Sequence, residues 1–145
     1  MIKVTQTWLG GKDAPIDGNG NCFQACVASV LEIPLEGSFN HGGFSDKDWF
    51  EQFNMWLRQY GLGCIFVECS EEKPLTSSPL CGIHIAEMQP ENGGVLHAVV
   101  IDGDKIIHDP MPYERNGYNC CGIYIFVPLD PKSCRRRRES KSKIG

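Results

Sequence analysis

The stretch that decides the fold lies at residues 20–34, GNCFQACVASVLEIP, and it predicts one helix. No helix breaker occurs before Pro34, so we expect the helix to begin at Cys22 and to end before that proline. Asn19 and Asn21 are favourable N-cap residues in front of it. The small side chains that would let a neighbouring element approach closely are Ala25, Ala28 and Ser29. We therefore expect this helix to be central and buried.

Downstream of this helix the sequence predicts a second helix and a set of strands. Aromatic and aliphatic residues recur at three- and four-residue spacing over residues 46–60, which is typical of a helix with one buried face. The apolar segments that predict strands are 62–67, 80–86, 95–101, 105–108 and 122–127. Because helices come first and antiparallel strands follow, the fold class is α+β, with the Cys22 helix packed on a C-terminal antiparallel sheet.

The composition fits one domain followed by a short basic tail. The chain has 145 residues with 41% hydrophobic and 22% charged residues, which is ordinary for a globular protein. Residues 132–145 hold seven basic residues against one acid, a net +6, so residues 1–131 carry −10 of the overall −4. We expect a folded acidic domain over 1–131 and a disordered tail over 132–145, with contact to a nucleic acid or another polyanion as the functional alternative for the tail.

The sequence also excludes a membrane-spanning protein. No apolar run approaches the roughly 18 residues that a spanning helix needs. The first fifteen residues, MIKVTQTWLGGKDAP, lack the apolar core of a secretory signal. We therefore expect a cytoplasmic protein.

Eight cysteines are present, and their expected redox state follows from the predicted cytoplasmic location. A disulfide framework is not expected in a protein without a secretion signal. No Cys-x-x-Cys pair occurs, so a structural zinc site is poorly indicated, and we predict neither a metal nor a cofactor. Most of the cysteines are interpreted as reduced, small core residues.

Cys22 differs from the others because it lies where a glycine-rich loop enters the predicted helix. The dipole and the free N–H groups of a helix N-terminus favour a thiolate over a thiol, and the thiolate is the nucleophile. Gly18 and Gly20 allow the backbone to approach a substrate closely. From this local context alone, a nucleophile and a buried helix cysteine are equally good interpretations.

A cysteine nucleophile needs a base, and the base needs an orienting group; the predicted hairpin supplies both. His97 opens the first strand of the hairpin, and Asp109 closes the second. A three-residue turn at 102–104 would place Ile101 opposite Lys105 and His97 directly opposite Asp109. The carboxylate would then hold the imidazole in one tautomer. A two-residue turn would put these two side chains on opposite faces of the sheet.

Three short motifs in this order resemble the papain-like cysteine peptidase superfamily. They are Gly-Asn-Cys-Phe-Gln-Ala-Cys at 20–26, His-Ala-Val-Val at 97–100 and His-Asp-Pro at 108–110. The chain is most similar to the branch that contains bacteriocin-leader peptidases and related phage and bacterial proteins. The resemblance spans residues 6–110 and implies a papain-like fold.

The resemblance also implies roles for individual residues. The implied nucleophile, base and acid are Cys22, His97 and Asp109. The family places a Gln ahead of the nucleophile, where its amide helps to form the oxyanion hole, and Gln6 is the position that matches this role. Asn19 and Asn21 are alternative donors.

The resulting functional prediction is a thiol hydrolase that cleaves a peptide or isopeptide bond in a peptide or protein substrate. A deamidase or acyltransferase with the same fold is the first alternative. A catalytically silent interaction module, with the basic tail at 132–145 engaging a polyanion, is the second. The sequence predicts neither the substrate nor the oligomeric state.

Overall fold

The computed structural model describes residues 1–7, 20–40, 47–69, 82–90, 96–103, 105–111, 118–130 and 132. Within these ranges the chain forms two α-helices and five strands, so the predicted α+β class is confirmed. The elements are α1 (Cys22–Leu31), α2 (Trp49–Leu57), β1 (Leu62–Glu68), β2 (Ile83–Pro90), β3 (His97–Asp102), β4 (Lys105–His108) and β5 (Tyr118–Pro128). Across the described ranges, neither helix has the length and apolar content that a membrane crossing requires. The basic tail, apart from Lys132, lies outside the described residues, so its contact with a polyanion stays a prediction.

The five strands form one sheet in the order β1-β5-β2-β3-β4, and every neighbouring pair is antiparallel. The long strand β5 lies between β1 and β2 and therefore joins the edge strand β1 to the rest of the sheet. The strands β2, β3 and β4 continue from it in chain order. The hairpin that carries His97 and Asp109 thus lies at one edge of the sheet.

The predicted element boundaries were most accurate where local signals are strong. The helix begins at Cys22 as predicted, and Glu32 terminates it in a left-handed conformation with φ of 57°. The strand predicted over 80–86 instead begins at Ile83 and ends at Pro90 (β2). The strand predicted from residue 122 begins four residues earlier, at Tyr118 (β5). Both strands extend further than predicted because the end of β2 pairs with the beginning of β5, Pro90 with Tyr118. This pairing outweighs the weak strand propensity of the residues that it adds to each strand.

The first apolar core lies between the sheet and the helices. In the middle of α1, Ala25, Cys26, Val27 and Ala28 are completely buried, which confirms that this helix is central. The main members of this core are Phe23, Cys26, Val27, Phe39, Phe53, Leu57, Cys64, Ile85, Ala98, Val100 and Tyr124. A second core lies on the other face of the sheet and contains Ala86, Met88, Val99, Ile101 and Ile123. Because β3 supplies residues to both cores, its sequence is almost continuously apolar.

Gly122 marks a close approach between β1 and β5. A Cβ at this position would overlap the Phe66 ring and would lie 3.2 Å from the carbonyl oxygen of Val67. We therefore expect Gly122→Ala to lower the free energy of unfolding by about 1–3 kcal/mol, as measured by urea denaturation. Gly37→Ala is the matched control, since its added methyl group would meet nothing within 4 Å. Equal stability of the two variants would contradict this account.

Candidate active site

The site is built around Cys22, the half-buried first residue of α1. Asn21 occupies the N-cap position as predicted, but its side chain does not cap the helix. Its Oδ1 instead accepts a hydrogen bond from the Thr7 N–H (2.9 Å), and its Nδ2 donates to Thr7 Oγ1 (2.8 Å). The N–H groups of the first helical turn are therefore left without this cap, beside the Cys22 thiol.

His97 is the first residue of β3 and lies next to Cys22. The N–H of Ala98 points at Cys22 Sγ over 3.4 Å, so the thiol is located at the beginning of this strand. The Cys22 side chain is also close enough to the His97 ring to raise its pKa. Nε2 of the ring contacts Asp109 Oδ1 at 2.6 Å, so Nδ1 is the ring nitrogen that this contact leaves for Cys22. The imidazole thus lies between a thiol and a carboxylate.

Asp109 follows the last residue of β4, and its carboxylate is held in place by the backbone two residues further along the chain. The N–H of Met111 donates to Asp109 Oδ1 over 2.9 Å, so the oxygen that contacts His97 also accepts a backbone hydrogen bond. This second donor fixes the carboxylate against the ring. Together these contacts bring the three predicted residues Cys22, His97 and Asp109 into one chain of neighbours.

The predicted strand register, however, was wrong. Asp102 pairs with Lys105, so the turn contains two residues rather than three. Beyond the turn a bulge shifts the register, because Ile101 pairs with Ile106 but Val100 pairs with His108.

Ile107 is the extra residue of this bulge, and it decides on which face Asp109 lies. A two-residue turn without a bulge would have placed His97 and Asp109 on opposite faces. The additional residue restores a shared face but displaces Asp109 by two positions from direct opposition. The two side chains therefore meet diagonally across the strands, a distance that long side chains span.

The electrostatic surroundings keep the His97 ring protonated at neutral pH. Burial lowers the pKa of this ring, which is only 4% exposed, but the hydrogen bonds and negative charges of Asp109 and Cys22 outweigh burial. The net result is a pKa raised from 6.5 to about 9. An imidazolium beside a thiol is the arrangement that stabilises a thiolate.

This raised pKa makes stability depend on pH. A group whose pKa is higher in the folded state stabilises the fold fully below its unfolded pKa of 6.5, and the effect is lost as the pH rises through about 9. We expect the free energy of unfolding to fall by roughly 2 kcal/mol between about pH 6 and about pH 8.5. Urea denaturation at a series of pH values across this range measures the free energy of unfolding. The His97→Gln variant should show a much flatter profile, and the same slope in both proteins would contradict the assignment.

Gln6 is brought to this site by contacts on both sides of it. Its N–H donates to the carbonyl oxygen of Pro110 (2.9 Å), the residue after Asp109. The next residue, Thr7, is held by Asn21, the residue before Cys22. Gln6 is 7% exposed and so lies buried between the two segments that carry Cys22 and Asp109. Of the alternative donors, Asn21 is engaged with Thr7, and Asn19 lies outside the described residues.

The role of the N-terminal segment was missed in the sequence. Val4 anchors it at two points: its N–H donates to Ser29 Oγ over 2.9 Å, and its carbonyl oxygen contacts Nε2 of His108 at 2.7 Å. These contacts tie the segment to α1 and to the end of β4. The residues involved lie 25 and 104 positions apart in the chain, and no local pattern in the sequence signals such contacts.

Comparison with protein-family models, with curated proteins and with solved structures finds no match. Among the residues that the structure describes, no group of three His, Cys, Asp or Glu side chains is placed to hold a metal ion. The case for a function therefore depends on the side-chain arrangement around Cys22.

Proposed function

We propose that this protein is a thiol hydrolase of the papain-like cysteine peptidase superfamily that cleaves a peptide or isopeptide bond. One observation supports this proposal above all others: the His97 ring contacts Asp109 through Nε2 at 2.6 Å, and the N–H of the next residue, Ala98, points at Cys22 Sγ over 3.4 Å. A cysteine at a helix start, a histidine at a strand start and an aspartate after the next strand also follow the order of that superfamily.

The proposed reaction begins from an ion pair in which Cys22 is a thiolate and the His97 ring carries the proton. The Cys22 thiolate attacks the carbonyl carbon of the substrate, and the carbonyl oxygen becomes an oxyanion. The His97 imidazolium gives its proton to the leaving amine as the C–N bond breaks, which leaves a thioester on Cys22. A water molecule then attacks the thioester with His97 as the base, and the acid product and the Cys22 thiol are released. Asp109 keeps the ring oriented and stabilises its charged form throughout.

The oxyanion would be held by the backbone N–H of Cys22 and by the side-chain amide of Gln6. We expect Gln6→Ala to lower the acylation rate by about 10²-fold, since a preorganised donor contributes about 3 kcal/mol to the barrier. Gln6→Glu should be at least as slow, because it keeps the shape and places a negative charge near the oxyanion. The release of nitrophenolate from p-nitrophenyl acetate measures this step.

Gln24→Ala is the matched control for this prediction. Gln24 is equally buried, but its amide donates to the carbonyl oxygen of Leu35 and so has a structural role. Its substitution should affect stability more than acylation. Acylation rates of both Gln6 variants within twofold of the wild type would rule out Gln6 as the oxyanion donor.

The same thioester also serves deamidation and acyl transfer, and one experiment separates these reactions. The protein is incubated with a peptide mixture from a bacterial lysate, and the products are analysed by mass spectrometry with Cys22→Ala as the control. New peptide ends that need Cys22 would support hydrolysis, whereas a gain of about one dalton on glutamine would indicate a deamidase. No Cys22-dependent product, together with no acylation by the activated ester, would favour the silent interaction module.

A further inference from the structure

Two cysteine side chains that are not part of the proposed catalytic site meet on the sheet face opposite α1. Cys69 follows the last residue of β1, and Cys120 lies near the beginning of β5. Their Sγ atoms are 3.3 Å apart, and both side chains pack against the second core. Both residues are partly exposed, whereas Cys26 and Cys64 are buried in the first core.

A bulge in β5 produces this meeting. Along β1 the register is regular up to Glu68, which pairs with Gly122, and the Cys69 N–H donates to the Cys121 carbonyl oxygen over 2.8 Å. Strict alternation would therefore put Cys121, not Cys120, on the same face as Cys69. The register with β2 shifts here, however, and Cys121 is the extra residue. The bulge turns Cys120 to the face that Cys69 occupies.

We propose that Cys69 and Cys120 form an intramolecular disulfide when the protein meets a low-molecular-weight disulfide such as oxidised glutathione. Their sulfur atoms need to approach by only about 1.3 Å to reach the bond length of a disulfide. The resulting bond would tie the edge strand β1 to its neighbour β5. A reducing cytoplasm would keep the pair open, and an oxidising one would close it.

The exchange proceeds in two balanced steps, and Cys69 attacks first. Burial, together with the nearby Cys69, raises the pKa of the Cys120 thiol to about 12, so Cys120 stays protonated at neutral pH. The Cys69 thiolate attacks one sulfur of oxidised glutathione, forms a mixed disulfide and releases one glutathione. Cys120 then loses its proton, attacks the Cys69 sulfur and expels the second glutathione. Two protein thiols are oxidised, and one glutathione disulfide is reduced to two thiols.

The test uses the full chain, oxidised glutathione and mass spectrometry after alkylation of the remaining thiols. We expect a Cys69–Cys120 cross-linked peptide, a loss of two hydrogens from the intact mass, and an upward shift of several degrees in Tm without reductant. Cys69→Ser and Cys120→Ser should each abolish the cross-link, and the neighbouring Cys121→Ser should retain it. If one variant does not fold, the other decides.

Three results would overturn this inference: a stable mixed disulfide that never closes, a cross-link that joins other cysteines, or a cross-link that survives in Cys69→Ser. The outcome is independent of the proposed hydrolase. Cys22 should remain reactive toward p-nitrophenyl acetate in the cross-linked protein, and the Cys22→Ala variant should still form the Cys69–Cys120 bond.

Discussion

Replacement of Cys22 by serine is expected to lower the rate of acylation by p-nitrophenyl acetate by at least about 10³-fold. The wild type should release a burst of one equivalent of nitrophenolate per chain, because the Cys22 thiolate attacks the ester and forms an acyl-enzyme. Serine keeps nearly the same size and position, but the hydroxyl is far less acidic than the thiol and His97 cannot activate it to the same degree. Stopped-flow absorbance measures the burst.

Cys26→Ser is the matched control for this variant. Cys26 lies one helical turn after Cys22 and is fully buried. Burial, and then the negative charges of Cys22 and Asp109, raise the pKa of the Cys26 thiol well above its usual range, so it is not expected to act as a nucleophile. The burst should survive in Cys26→Ser. A burst that persists in Cys22→Ser and disappears in Cys26→Ser would reverse the assignment.

Replacement of Asp109 by asparagine is expected to lower the acylation rate by about 10²- to 10⁴-fold. The amide keeps the shape of the carboxylate but removes the negative charge that opposes the desolvation of the His97 ring. The pKa of His97 should therefore fall from about 9 toward 6.5 or below. Titration of the ring protons by NMR measures this pKa, and the protein has only four histidines to assign.

Asp102→Asn serves as the control, because it removes a carboxylate from the exposed turn of the same hairpin. It should change neither the pKa of His97 nor the acylation rate by more than about twofold. An unchanged His97 pKa in Asp109→Asn would show that the contact between Nε2 and Oδ1 does not control the charge of the ring.

Local patterns in the sequence were sufficient to predict the elements that carry the site. The helix start at Cys22 follows from an unbroken helical segment after a glycine-rich loop, and the start of β3 at His97 was placed within two residues. The aromatic spacing over residues 46–60 predicted a helix whose buried face includes Phe53 and Leu57. Each of these signals depends only on residues that are close together in the sequence.

Features that depend on pairing between distant segments were not predicted. The bulge at Ile107 is not indicated by its apolar neighbours, so the predicted direct opposition of His97 and Asp109 was wrong although the two side chains do meet. The hydrogen bond of Asn21 with Thr7, instead of with its own helix, was not predicted either. An N-cap bond and a tertiary bond use the same side-chain atoms, so the residue type alone does not distinguish them. Tertiary contacts decide between such alternatives, and a single sequence does not encode them locally.

Whether His97 activates Cys22 is tested by the rate at which iodoacetamide alkylates Cys22 at about pH 6, in the wild type and in His97→Gln. Only the thiolate reacts, and at this pH the His97 ring, with its pKa of about 9, is charged and close enough to stabilise it. We expect alkylation of Cys22 to be at least about tenfold faster in the wild type than in His97→Gln. Equal rates in the two folded proteins would contradict it, because Cys22 and His97 would then be neighbours without chemical cooperation.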